Sequence, residues 1–352
     1  MSHIPPLVND VYYPSWRIYR GLAPSALQVD CITRVFYAFV LVNPDGTLRP
    51  LDSHADTAIS ADNTQGCLAA LAQLKQAHPH LRTLVSLGGG GANSASFPAL
   101  ASNPTARATL ARSIRAFVDA HGLDGVDVDW EHPSSPREGA DYTALLRALR
   151  DALPAPRYLL TSALPADAGG CLRHIDFGAA APLLDAVNLM AYDFHGPWTE
   201  TCGHAAQLYP PVDDGARVRS PSSGHRGVEY LIANGVPPCK IVLGVPVYAR
   251  GFKGAGGVGH AFGETEELEY GELPTECISD ARVDREAVAA SHVHGERGFV
   301  SFDVPETVRW KAEYVRRSGL GGLFYWTGVG DCEGPESLVR AGYEALNDDS
   351  TS

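Results

Sequence analysis

Asp127, Asp129 and Glu131 occupy alternate positions of one short stretch, Gly125-Val126-Asp127-Val128-Asp129-Trp130-Glu131. Strict alternation is the pattern of a β-strand, whose successive side chains point to opposite faces, so the three acids share one face. Val126 and Val128 take the other face and Leu123 precedes them, which marks a buried strand rather than a solvated acidic run. Like charges this close repel, and burial disfavours ionisation further, so at least one of the three keeps its proton near neutral pH. Such a group is suited to general-acid catalysis. A divalent-metal cluster is the competing reading, because carboxylates in a row suit magnesium or calcium. The calcium-loop spacing, with glycine at its sixth position and glutamate at its twelfth, is absent. The acids are therefore expected to do chemistry themselves, with no metal and no cofactor.

Elements that could position such a strand follow one another along the chain. Apolar runs over Val11–Tyr13, Thr33–Val42, Leu81–Ser86, Tyr158–Ala163, Ala186–Asp193, Lys240–Arg250 and Gly321–Trp326 read as further strands. Several are apolar on both faces, as a parallel sheet covered by helices requires. Helical spacing fills the intervals near Gly66–His78, from Asn103 onward, Asp141–Leu153, His174–Leu183, Gly227–Asn234, Pro305–Ser318 and Glu336–Leu346. Eight strand–helix units in order imply an α/β chain folded as a (β/α)8 TIM barrel, one domain over residues 1–348 with a short tail at 349–352. Residues 253–297 break the rhythm, first glycine-rich and then acidic through Glu264–Glu269, and read as a small insertion between strands seven and eight, over the barrel mouth. In this fold chemistry gathers at the C-terminal ends of the strands. Ser86, Glu131, Tyr192 with Asp193, Arg250 and Trp326 all fall at such ends.

With 28 Lys and Arg against 41 Asp and Glu, the net charge of −13 argues against nucleic acid or an anionic membrane as partner. A neutral substrate is compatible with it. No apolar run reaches the length of a membrane span, and the opening Met1-Ser2-His3-Ile4-Pro5-Pro6 lacks the charged and apolar parts of a secretory signal. Seven scattered cysteines without a CxxC pair read as free thiols. A cytoplasmic monomer is expected from the sequence as given, or a secreted one if a leader has been removed.

The acidic strand, in full DxxDxDxE form from Asp124 to Glu131, resembles the signature of glycoside hydrolase family 18, the retaining chitinase family. Ser86-Leu87-Gly88-Gly89 is similar to the family's SxGG strand, Met190-Ala191-Tyr192-Asp193 to its MxYD motif, Tyr248-Ala249-Arg250 to its YxR, and Trp326 to its strand-eight aromatic. The resemblance runs from about Val11 to Leu346. It implies that Glu131 protonates the glycosidic oxygen while the substrate's own N-acetyl oxygen acts as nucleophile, an exception to the two-carboxylate rule. It further implies that Asp129 orients the acetamide, that Asp127 shares a proton with Asp129 and is hydrogen-bonded towards Ser86 and Tyr12, and that Tyr192 binds the acetamide carbonyl. Asp124 would fix the local backbone. Tyr12, Phe39, Ser86, Gly89, Met190, Asp193, Tyr248, Arg250 and Trp326 would surround the sugar, with Trp326 as floor. Arg250 could equally pair with an acid to hold the insertion, and Phe39 could equally be barrel core.

Gly90 stands where chitinases of this family commonly carry a tryptophan that stacks on the sugar beyond the scissile bond. The insertion also looks shorter than the α+β module of one large branch, which implies a shallower groove. The expected substrate is an N-acetylglucosamine-containing oligo- or polysaccharide cleaved at β-1,4 bonds, chitin or chito-oligosaccharides first. An endo-β-N-acetylglucosaminidase acting on the chitobiose core of N-glycans is the alternative. A non-catalytic chitin-binding lectin is the minor one, disfavoured because Glu131 is present.

Overall fold

Strands buried on both faces close on themselves more readily than they form an open edge, and eight of them do so here. The computed structural model describes residues 6–210 and 222–348; the expected tail at 349–352 lies outside them. The barrel strands are β1 (Val8–Pro14), β2 (Arg34–Val42), β3 (Arg82–Gly88), β4 (Gly125–Asp129), β5 (Leu159–Pro165), β6 (Ala186–Met190), β7 (Ile241–Pro246) and β8 (Gly322–Trp326). All neighbours pair in parallel, and β1 closes the ring between β8 and β2. Register sets Asp127 opposite Ser86 on one side and Thr161 on the other, so three polar side chains enter the interior at one level. Below them the interior is apolar, filled by Phe36, Leu84, Ala186, Val242 and Phe324. The polar level thus rests on a packed floor, as barrel interiors stack in layers.

Outside the ring, Pro104–Ala120 is a helix because Asn103 caps it, accepting from the N–H groups of Thr105 and Ala106, and because Leu110, Ile114 and Val118 recur on its inner face. The helix Pro136–Ala152 is capped in the same way by Ser135. The first unit departs from the expected pattern. Between β1 and β2 the chain makes only 3-10 turns at Ser15–Arg20, Pro24–Ala26 and Val29–Cys31, because Gly21, at φ 79°, and Pro24 interrupt any longer helix. Among the described residues no helix is long and apolar enough to cross a membrane.

The run Lys240–Arg250 is two strands rather than one. Pro246, which has no N–H to give a ladder, ends β7, and Tyr248–Phe252 starts a separate five-stranded antiparallel sheet with Thr265–Glu269, Gly298–Phe302, Ala289–His294 and Arg282–Asp284. The insertion is therefore a folded β module with a short helix at Thr275–Ser279, and its sheet begins before and ends after the expected 253–297. Glycines at positions 251, 254, 256 and 257 dilute the hydrophobic alternation that would have announced it.

Lys311 locks this module to the barrel mouth. Its ammonium, 2% exposed, donates to both carboxylate oxygens of Asp303 at 2.8 and 2.6 Å and to the Ala206 carbonyl at 2.8 Å, joining the end of the insertion to the segment after β6. Lys311→Ala leaves Asp303 buried without its partner and should cost about 3–5 kcal/mol in urea unfolding. A loss below about 1 kcal/mol, the worth of an exposed pair, would contradict the anchoring role.

Candidate active site

Asp127 is fully buried and hydrogen-bonded from four strands. Tyr12 Oη on β1 and Ser86 Oγ on β3 each donate to Oδ2 at 2.8 Å, while Thr161 Oγ1 on β5 donates to Oδ1 at 2.6 Å and Asn188 Nδ2 on β6 reaches it at 3.4 Å. Burial raises its pKa above the ordinary carboxylate value, and the hydrogen bonds from Thr161, Ser86 and Tyr12 offset only part of that rise. Asp124, one residue before β4, accepts from the Thr83 N–H at 2.8 Å and pairs with Lys75, tying β4 to the chain around it.

Asp129 lies two residues further along the same face and is treated differently by its surroundings. Only 4% of it is exposed, and its Oδ1 has no hydrogen-bond partner. Burial, then the charges of Glu131 and Asp127, hold its pKa well above the usual carboxylate range. No hydrogen bond joins Asp127 to Asp129 among the described residues. Glu131 stands just past the end of β4, where its N–H donates to Ser94 Oγ at 2.9 Å and that hydroxyl donates to the Gly89 carbonyl at 2.8 Å. Burial and then the nearby Asp193 carboxylate raise the Glu131 pKa.

A cavity of about 220 Å³ opens over Asp129 and Glu131, lined also by Tyr12, Phe39, Gly90, Ala163, Met190, Tyr192, Asp193, Tyr248, Glu267 and Trp326. Trp326 is held on its inner side by Tyr12, Trp16 and Phe39, the last stacked at 5.7 Å and 19°. On the wall facing the insertion, Tyr248 Oη and Arg250 Nη2 both donate to Asp193 Oδ1 at 2.6 Å, and the same Arg250 nitrogen reaches Glu267 Oε2 at 3.1 Å.

Most residues expected from sequence meet at this cavity, and four stand behind it, Asp127 among them. Ser86 is fully buried beneath, spent on Asp127. Gly89, at φ 95°, is pressed against Phe39, where a Cβ would come within 2.6 Å of the ring. Arg250 belongs to the insertion sheet, is 6% exposed and braces Asp193 and Glu267 rather than lining the cavity. Thr161, Asn188, Ser94, Trp16 and Glu267 were not singled out from sequence. Thr161 and Asn188 had a signal, a polar residue inside an apolar strand; Glu267 had the alternation Thr265, Glu267, Glu269, masked by acids on both faces. Gly90 is open: a Cβ there would meet nothing nearer than the Glu131 carboxylate oxygens at 3.6 Å.

Residues 10–331 match the family described as glycosyl hydrolases family 18. Endochitinase 1 of Metarhizium robertsii is 32% identical over all of this chain and 88% of its own length. Chitinase 1 of Aphanocladium album is 32% identical over 97% of this chain and 86% of its own. Among solved structures, the Group IV chitinase of Ostrinia furnacalis aligns with a TM-score of 0.87 at 25% identity, covering 97% of this chain and 100% of that one. A class V chitinase of Nicotiana tobaccum, solved as a mutant in complex with NAG4, gives 0.82 at 25% identity, covering 97% and 99%.

Removing the charge of Asp193 removes a repulsion that keeps Glu131 protonated, so Asp193→Asn should lower the Glu131 pKa. A carboxyl titration by NMR with labelled glutamate reads this directly. An unchanged or raised Glu131 pKa would contradict the electrostatic coupling.

Proposed function

The chain belongs to glycoside hydrolase family 18 and is a glycosidase, and from that premise we propose that it is a chitinase cleaving β-1,4 bonds beside N-acetylglucosamine with retention. The observation that carries this reading is Asp129: a buried carboxyl, its pKa held well above the usual range, with one oxygen left without a protein partner at a sugar-sized cavity. Buried polar atoms are nearly always paired, so an orphan at a cavity wall is an acceptor waiting for a ligand donor. The N–H of an acetamide is such a donor.

In this reading the reacting sugar lies on Trp326, its apolar face against the indole. Glu131, kept protonated by burial and by Asp193, gives its proton to the glycosidic oxygen as the bond to the leaving sugar breaks. The acetamide oxygen attacks the anomeric carbon from the opposite face and closes an oxazolinium ring. Asp129 holds the acetamide N–H, so positive charge on that nitrogen forms beside a carboxyl able to ionise. Asp127, fixed by its four donors, would take the pair's proton when Asp129 turns towards it, which lets Asp129 take up charge. Tyr192, whose pKa burial drives far above neutral, stays a neutral donor for the acetamide oxygen. After the aglycone departs, the Glu131 carboxylate takes a proton from water, which opens the ring at the anomeric carbon. Two inversions give retention.

A second reading is favoured by Gly90 alone: without a side chain there, the leaving-group side has room for a bulky aglycone such as an N-acetylglucosamine attached to a peptide. The chitinase names of the relatives weigh towards the first reading.

Labelled chitotetraose and a biantennary glycopeptide, assayed side by side, separate the two. Chitotetraose should be cleaved with the β-anomer appearing first by NMR, and Glu131→Gln should lose about 10³-fold in turnover while still binding ligand. Release of an intact glycan with no chitotetraose turnover, or near-normal rates in Glu131→Gln, would overturn the proposal.

A further inference from the structure

Lys311 is not the insertion's one attachment to the barrel. Arg17, on the turn Ser15–Arg20 after β1, pairs with Glu269 at the end of the strand Thr265–Glu269, and both side chains are only 15% exposed. The loop after β8 comes so near the Glu269 carboxylate that a Cβ on Gly330 would collide with it. A neighbouring pair, Arg20 with Glu272, is more than half exposed and is worth little. Arg17 and Glu269 are a different case, because removing either one leaves a largely buried charge without its partner.

Neither residue lines the cavity. Glu269 is nevertheless joined to the surroundings of the acid. It lies directly across the antiparallel ladder from Tyr248, as Glu267 lies across from Arg250, and the next residue, Tyr270, donates its N–H to the Val247 carbonyl at 3.1 Å. Tyr248 and Arg250 in turn hold Asp193, whose carboxylate acts on Glu131. From Arg17 the contacts therefore run to Glu269, Tyr248, Asp193 and Glu131, each link being an ion pair, a ladder partner, a hydrogen bond or a facing charge.

We propose that Arg17 is a positioning residue for the general acid: by fixing Glu269 it holds Tyr248, and through it Asp193, in place beside Glu131. The inference rests on Glu131 being the acid of the function proposed above. Its sign follows from charge relaxation. Glu131 is faced by Asp129 on β4, by Tyr192 and Asp193 after β6, by Cys171 between β5 and β6, and by Glu267 on the insertion. Burial and then Asp193 raise its pKa. A fixed Asp193 cannot retreat when Glu131 ionises, whereas a loosened one turns to solvent and makes that charge less costly. The acid would then lose its proton at lower pH. Direct electrostatics works the other way, because removing the Arg17 cation leaves the site more negative and favours the protonated acid. Direction alone thus separates positioning from charge.

The test follows the Glu131 carboxyl by NMR in the free protein and the pH dependence of kcat/KM on chitotetraose, in the wild type, Arg17→Gln, Arg17→Lys and the double variant Arg17→Gln/Glu269→Gln. Arg17→Gln should lower the Glu131 pKa by about half a pH unit, a fraction of what a close charge supplies. The alkaline limb of the rate profile should move down with it, since activity needs the protonated acid. Arg17→Lys should restore part of the loss. The double variant, which leaves no unpaired charge and so keeps the test open if Arg17→Gln does not fold, should show the same fall rather than the sum of two, as partners acting as one unit do. An unchanged or raised Glu131 pKa in Arg17→Gln or in the double variant would overturn the positioning role while leaving the chitinase reading in place. A fall in that pKa which the rate profile does not follow would overturn Glu131 as the acid, and with it the reading on which the inference rests.

Discussion

Two carboxyl groups stacked on one buried strand are the constraint around which this barrel is built. Taking a carboxylate out of water costs several kcal/mol, and two of them two residues apart cost more. Asp127 meets that cost with donors from β1, β3, β5 and β6, each charge-assisted bond contributing about 1.5–3 kcal/mol. No open sheet could bring these four strands to one point. Only a closed ring, in the register that sets Ser86 and Thr161 beside Asp127, supplies them. Asp129 receives no such set; its pKa is driven well up and one oxygen is left unpaired. The fold spends its donors on the lower acid and leaves the upper one to a ligand.

The same division runs outward. Ser94 clamps the backbone of Glu131 to that of Gly89, so the position of the acid is set by β3 as well as by β4. Across the cavity, Asp193 is fixed by Tyr248 and Arg250, which belong to the insertion rather than to the barrel. The insertion thereby reaches the electrostatics of Glu131 through one carboxylate. Lys311 and Asp303, at its far end, keep that wall in register with the segment after β6. A change in the module is felt at the acid without touching it.

Much of this was legible in the sequence because the relevant signals are local. Period-two alternation put Asp127, Asp129 and Glu131 on one face, and apolar runs separated by helical spacing counted out eight strands. What escaped is set by pairing between distant segments. Pro246 marks a break in Lys240–Arg250, but nothing there says that Tyr248 begins a second sheet, since both parts are apolar and extended. Arg250 was expected at a strand end, either beside the sugar or paired with an acid to hold the insertion; it stands behind the wall, paired with Asp193 and Glu267. No helical spacing separates the first two strands in the sequence, and glycine and proline at positions 21 and 24 leave only short turns there. Thr161 and Asn188 are ordinary polar residues until the register brings them to Asp127.

The central claim is that burial, together with the charges of Glu131 and Asp127, holds the Asp129 carboxyl well above the ordinary carboxylate range and that its Oδ1 is the vacant acceptor of the site. Aspartate labelled at the carboxyl carbon, followed by NMR across pH and assigned by comparison with Asp129→Asn, measures this directly. The account predicts that the Asp129 resonance remains that of the protonated acid well above the ordinary carboxylate range. An Asp129 that titrates in the ordinary carboxylate range, near 3.8, would contradict it.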